Sequence, residues 1–519
     1  MSENENYATC IAQFLESGEV DTVSAFECFA AESRVEADAT EKKTKVLFFV
    51  YCSSLVFLMQ AGFAMICSGC VRKKNVQNTI LKNFLDVCGS SIAFFFVGYA
   101  FAFGGGEEGK TTFIGNTNFL LTQMDFNGYG IDYAHWTFHF AFAATAATIV
   151  AGTLAERCQM NAYLFYSMML TGFVYPVIVH NVWSSNGYLS ASNANPLFGI
   201  GMIDFAGSGV VHVTGGITAL IATKLLGPRK GRFFDDRGNK LERPKSFPGH
   251  SKSLQMLGTL ILWFGWFGFN AGSAVKKEEP LEPVIIAKAV VNTTLAGACS
   301  GIVALVINLY LTERKTGEPV YKLSSAMNGC LAGLAAITGS CGIVEPWAAL
   351  VIGVIAGCLF LFTSYLLERK CLDDAVDAIP VHLAGGAWGV IATGLFASPR
   401  ALETYFHTEV DHVGWFYSWG RGSGDFTLMG CQLVGLICIL IWVSGIMFPF
   451  FFVLNYLGLL RSDGLEEIVG LDVSYHGYST QNTSDEDLSR ETLRQYVQKY
   501  RKVPADEEEN DNENTDRFE

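Results

Sequence analysis

"DFAGSGVVHVTGG", residues 204–216, decides the fold because it occurs twice. "DAVDAIPVHLAGG", residues 374–386, repeats the order Asp, seven residues, His, two residues, Gly-Gly, which puts His382 in register with His212. Each copy opens an apolar run of the roughly 20 residues that a helix needs to cross hydrocarbon. Eleven such runs are read, near 46–68, 83–104, 134–154, 161–182, 205–226, 253–273, 284–311, 324–343, 346–367, 377–398 and 427–458. The copies start the fifth and the tenth, and an offset of five spans, being odd, reverses the chain across the bilayer. The pattern is that of an inverted five-helix repeat, spans 1–5 and 6–10 plus a final helix, with a site between the halves near the midplane.

Eight residues of helix between each Asp and its His carry the chain about 12 Å. Asp204 is then expected at the outer face, Asp374 at the inner face, and both histidines in the middle of a layer about 30 Å thick. One histidine in an apolar helix reads equally well as a satisfied packing residue. Two in matched copies read as a path for substrate or protons, since ionisable groups inside spans are costly. The glycine pairs allow close helix approach. Asp204 also reads as an N-cap held by the backbone N–H groups of Ala206 and Gly207, with Asp374 and Asp377 in a similar role at the inner end.

Composition agrees with an all-α integral membrane protein: 50% of the 519 residues are apolar and 17% charged. The net charge of −14 belongs to the ends, because residues 1–45 carry ten acids and four bases and residues 461–519 carry sixteen acids and seven bases. The chain divides into an acidic tail (1–45), a membrane domain (46–460) and a second acidic tail (461–519) that reads as partly disordered after about 480. Acidic tails give nucleic acid no surface to bind. Lys and Arg gather in the connections "VRKKNVQNTILK", "GPRKGRFFDDRGNKLERPKSFPGHSK", "TERKTGEP" and "ERKCLDD", which places those in the cytoplasm, the N-terminus outside and the C-terminus inside. Most of the 14 cysteines fall within apolar spans and form no disulfide framework or zinc pattern. Cys10 and Cys28 differ, lying in the polar tail, where an extracellular setting would let them form a disulfide. No metal or cofactor is expected, and no ATP-binding loop or nucleophile constellation of an enzyme is present.

From about residue 45 to 478 the chain resembles the ammonium transporter family (Amt, Mep and Rh). The resemblance rests on both histidine motifs together with "VRKKN", "GTLAERC" (152–158), "WFGFNAGSA" (266–274) and "GLDVSYHGY" (470–478), in that family's order. It implies a homotrimer, each subunit with its own narrow pore, probed with methylammonium as an analogue of ammonium. His212 and His382 match the paired pore histidines. Trp183, Ser273 and Phe142, with Asp204 beneath, match the outer site that recruits ammonium, and Phe142 and Phe269 match two stacked rings closing the pore below it. Phe138, His139 and Trp266 are placed around the vestibule, with His139 standing where the family usually has Gln. Trp183 favours the Amt branch, and the tail resembles plant-type members in which Ser474 takes the place of a threonine phosphorylated by a kinase.

The implied mechanism follows from the ion. Ammonium matches potassium in charge and size, but it donates hydrogen bonds, rests on aromatic faces at about 1–2 kcal/mol, and can lose a proton. Ammonia then crosses an apolar passage, with the two imidazoles able to accept and relay a proton. Whether the proton crosses too is left open. The competing readings are an ammonium sensor of the same family that conducts little, and a metal site of two His and two Asp, which the Asp-to-His distance disfavours. Membrane lipid is the surrounding partner and the plasma membrane the expected location.

Overall fold

The computed structural model describes residues 22–105, 109–124, 128–235, 237–277 and 279–476. Eleven long helical segments follow the expected runs closely: α1 (Thr22–Cys70), α2 (Lys73–Phe103), α3 (Ile131–Leu154), α4 (Met160–Trp183), α5 (Ser208–Leu226), α6 (Lys252–Gly272), α7 (Pro283–Thr316), α8 (Leu323–Ile337), α9 (Pro346–Arg369), α10 (Ile379–Phe396) and α11 (Thr427–Tyr456). Among the described residues nine are long and apolar enough to cross a membrane, the exceptions being α6 and the 15-residue α8. The described residues contain isolated β-bridges but no named strand. The chain is an all-α integral membrane protein.

Two differences from the expected boundaries have physical reasons. Helix α1 starts at Thr22 rather than near residue 46, because the polar turns preceding the apolar run continue as helix. They are pinned where Lys45 Nζ donates to the Glu279 carbonyl at 2.6 Å and Leu281 N–H donates to the Glu41 carboxylate at 3.1 Å. Helix α8 ends at Ile337 rather than near 343, because residues 338–344 turn back and lend carbonyls to the start of the first copy: Phe205 N–H donates to Gly339 and Ala206 N–H to Thr338. Cys10 lies outside the described residues, as do the side chain of Cys28 and the chain after 476.

Glycine decides the packing of the corresponding pairs α1/α6 and α5/α10. A Cβ on Gly258 of α6 would fall 2.5 Å from the Gly62 carbonyl of α1. A Cβ on Gly216 of α5 would fall 2.5 Å from the Leu383 amide, and one on Gly386 of α10 would fall 2.5 Å from the Ser208 carbonyl. Gly216 therefore meets Leu383 while Gly386 meets Ser208, His212 and Val213, so the two helices cross antiparallel at the second glycine of each pair.

A histidine pair beneath an aromatic stack

The first six residues of both crossing helices, Ser208–Val213 and Ile379–Ala384, form wide π-helical turns, and each contains its histidine. Such turns are short and frequent at functional sites. His212 Nδ1 and His382 Nδ1 lie 3.1 Å apart, with ring planes inclined 24° and both side chains buried. One nitrogen must donate and the other accept. In the neutral pair the donor ring keeps a lone pair on its Nε2, while the acceptor ring carries its proton there. The pair therefore offers an acceptor at one end and an N–H at the other, and the ends exchange when a proton is taken up at the free Nε2, the shared proton crosses, and the far Nε2 proton is released. His212 Nε2 is buried without a protein partner among the described residues.

Above His212 the aromatic rings are ordered. Phe269 lies 5.8 Å from His212 and stacks on Phe142 at 3.9 Å and 13°, and Phe142 meets Trp183 edge-on at 6.0 Å. Beyond them opens a cavity of about 520 Å³ lined by Trp183, Ser273, Phe138, His139, Asp204 and Lys276, among others. Ser273 Oγ donates to the Phe269 carbonyl at 2.9 Å and keeps its lone pairs for a donor. Trp266 is not at this vestibule. It is buried below the phenylalanine pair, 5.4 Å from the His212 ring, with its Nε1 donating to Thr338 Oγ1 at 2.9 Å.

Asp204 lies at the start of α5 and caps it with its carboxylate as expected, but the donors and the path to His212 differ. Residues 204–207 are not helical, so no eight-residue helical rise separates Asp204 from His212. Its carboxylate turns back onto the helix and accepts from Gly207 (3.1 Å), Ser208, Gly209 and Val210 (2.8 Å each). Ala206 N–H, expected as a donor, goes to Thr338 instead. The Asp204 carbonyl accepts from Trp183 Nε1 at 2.7 Å, so one residue fixes both the helix start and the vestibule tryptophan.

Asp374 caps α10 similarly, accepting from Val376 at 3.2 Å and Ile379 at 2.8 Å. Burial, reinforced by the charge of Asp377, pushes its carboxyl up to about 7. Asp377 accepts from Ser364 Oγ at 2.9 Å and Asn328 Nδ2 at 3.0 Å instead of capping. Both line a second cavity of about 1010 Å³.

Three features had no prediction attached. Arg229 is buried between Glu156 (2.8 Å) and Asp373 (2.8 Å), while Arg157 donates to the Asp373 carbonyl at 2.7 Å. Burial pushes Asp373 up, but the Arg229 hydrogen bonds and the charges of Arg157, Arg229 and Arg232 outweigh it and hold the carboxyl below its usual range. "GTLAERC" and "CLDDAVD" carried the signal, as charges too closely set against apolar spans to be solvated. His135 and Tyr99 also join the vestibule lining. The tail segment docks on its own chain: Asp472 accepts from Gln77 (3.0 Å) and Asn78 (2.7 Å), Leu471 N–H donates to Asn75 Oδ1, and Ser474 is exposed with Oγ on the Gly470 carbonyl.

The helices define an integral membrane protein in which a buried histidine pair and a stack of aromatic rings lie beneath a vestibule. The model of the Ammonium Transporter Family matches residues 47–481. Ammonium transporter 1 member 3 of Solanum lycopersicum is 40% identical over 90% of this chain and 99% of its own length. Ammonium transporter Amt2 of Archaeoglobus fulgidus is 42% identical over 82% and 85%. A solved "Sensor Amt Protein" superposes with a TM-score of 0.71 at 31% identity, covering 84% of this chain and 99% of that one. Candida albicans Mep2 gives 0.69 at 26% identity, covering 81% and 86%. The chain belongs to the ammonium transporter family, and it falls with the Amt branch and its plant-type members.

Proposed function

We propose that this chain is an ammonium transporter that recruits the cation at Trp183, Phe142 and Ser273, strips a proton from it, and passes ammonia between Phe142 and Phe269 to His212 and His382. The observation carrying this reading is the 3.1 Å histidine contact directly below the 3.9 Å phenylalanine stack. A stack that close admits no hydrated ion without rotating, and a bare cation in the passage beneath meets apolar walls. Ammonia, being neutral, avoids that penalty and finds one acceptor and one donor on the histidine pair. Uptake of a proton at the free Nε2, passage of the shared proton and release of the far Nε2 proton form a relay that carries one charge across the pair without an ammonium ion in the passage.

The same reading takes the eleven helices as spans in an inverted repeat, with the N-terminus outside, the C-terminus in the cytoplasm, and three subunits in the plasma membrane. The lysines and arginines of the connections support that orientation. Exposed apolar side chains along α7, α9 and α11 supply the surface that lipid or neighbouring subunits would cover. Phosphorylation of exposed Ser474 would place nearly two negative charges beside Asp472, weakening its hold on the start of α2. Relatives named as transporters favour conduction over a sensor that conducts little. The deciding experiment is current and uptake recording with ammonium, methylammonium and potassium in cells lacking their own carriers. His212→Ala should abolish ammonium selectivity or flux, and unchanged selective flux in that variant overturns the mechanism.

A further inference from the structure

Helix α3 places two histidines at the vestibule, one turn apart. His135 and His139 stand at the i, i+4 spacing that puts Cβ atoms about 5–6 Å apart, the separation used by zinc-binding histidine pairs on helices. Their ring centroids are 4.3 Å apart at 51°, and both line the 520 Å³ cavity. His135 Nδ1 is fixed by the Tyr99 hydroxyl at 3.0 Å, the kind of outer contact that orients a ligating imidazole. His139 Nδ1 is buried with no hydrogen-bond partner, and its close neighbours are rings: Phe103 at 4.3 Å, Trp183 at 5.8 Å and Phe142 at 6.0 Å. Buried nitrogens are seldom left unsatisfied.

We propose that His135 and His139 form an exchangeable chelating site for a divalent transition-metal ion, with water completing the coordination, and that the bound ion blocks the vestibule. The metal–nitrogen distance of about 2.0–2.1 Å lets one ion bridge two rings this close. Two imidazoles select Cu2+ over Ni2+ and Zn2+, and hold the ion more loosely than a three- or four-ligand structural site. The cations nearby are compensated: Lys277 pairs with Asp132 at 2.5 Å and Lys276 with Glu279 at 2.6 Å. Among the described residues no cluster of three or more His, Cys, Asp or Glu forms a site, which fits a reversible inhibitor rather than a resident ion. The pore histidines are occupied with each other beneath the phenylalanine stack. Binding stands on the geometry alone, and the block rests on the transport reading.

The test uses the full chain in lipid nanodiscs titrated with Cu2+ and followed by electron paramagnetic resonance, beside methylammonium uptake with external Cu2+, Ni2+ or Zn2+. A bound Cu2+ coupled to two nitrogens is expected. His135→Asn and His139→Gln should each weaken binding at least about tenfold, and Tyr99→Phe by about tenfold, the effect of losing an outer-shell partner. His407→Gln, at a histidine beside the Glu279 and Glu282 carboxylates, should leave the titration unmoved. An unchanged titration in the His135→Asn/His139→Gln double variant overturns the site. Saturating metal with normal uptake overturns the block, and absent uptake without metal counts against the transport reading while the resonance still decides the site.

Discussion

Replacing Gly386 with alanine tests whether the glycine pairs set the distance between the histidines. The added Cβ would fall 2.5 Å from the Ser208 carbonyl oxygen and 3.0 Å from His212 Cβ, where ordinary contact begins at 3.4 Å. Neither neighbour can rotate away, since one is backbone and the other is a Cβ. The helices must therefore part by about 0.9 Å, an overpacking that costs about 1–3 kcal/mol. The same displacement stretches the 3.1 Å Nδ1 to Nδ1 contact toward about 4 Å, beyond any hydrogen bond. A barrier raised by about 1.4 kcal/mol slows flux tenfold, so methylammonium uptake should fall by about that factor along with a lower melting temperature. Gly430→Ala is the control: nothing lies within 4 Å of that Cβ, and the change should stabilise α11 by about 1 kcal/mol at normal uptake. Wild-type uptake and melting in Gly386→Ala would refute the claim that the crossing fixes the histidine contact.

Asp204→Asn should destabilise by about 3–6 kcal/mol, because the amide keeps two acceptor bonds but points N–H groups at two of the four donors, at about 1.5–3 kcal/mol each. Loss of flux with unchanged melting would instead mean that the carboxylate acts on the ion directly. Arg229→Met leaves Glu156 and Asp373 buried without their shared cation and should cost about 3–5 kcal/mol, read from detergent melting curves. For Asp374, a carboxyl lifted to about 7 from about 3.9 penalises the ionised form, in full above pH 7, and the penalty fades as pH falls toward 4. Wild type should therefore gain melting temperature relative to Asp374→Asn between about pH 8 and pH 5, and a constant difference would contradict the assignment. Ser474→Asp should lower uptake by loosening the segment that caps α2, and normal flux at normal expression would count against a switch.

Helix positions were legible because apolar runs report burial directly, and all eleven long segments coincide with such runs. The histidine pair was legible because a repeated motif implies symmetry, and symmetry implies proximity. Trp266 was misplaced since its sequence neighbourhood, "WFGFNAGSA", is shared with Ser273 at the vestibule, although nearly two turns of helix separate the two. The first copy misled for a similar reason: a constant Asp-to-His spacing reads as helical rise unless a break is recognised. Gly207, at φ 105°, marks that break, since glycine tolerates the left-handed backbone that lets the carboxylate fold back. His135 and Tyr99 could not be found from one chain, because they lie on different helices with no repeat to relate them.

The two copies share spacing but are built differently, and the difference bears on what the spacing is for. The outer copy turns at Gly207 and feeds four backbone N–H groups to Asp204, which accepts no side-chain hydrogen bond. The inner copy turns at Asp377, a residue with a side chain held at φ 58°, which costs about 1–3 kcal/mol and is tied down by Ser364 and Asn328 from α9 and α8. If the aspartates served symmetric chemistry on the ion, symmetric surroundings would be needed at both ends. What the copies hold in common is narrower: a carboxylate that starts the helix, a wide π-helical turn that carries the histidine, and a glycine pair whose second member lets the other helix lie across it. The aspartate therefore sets where the helix begins, the glycines set how near the helices come, and the histidine meets its partner as the consequence of both.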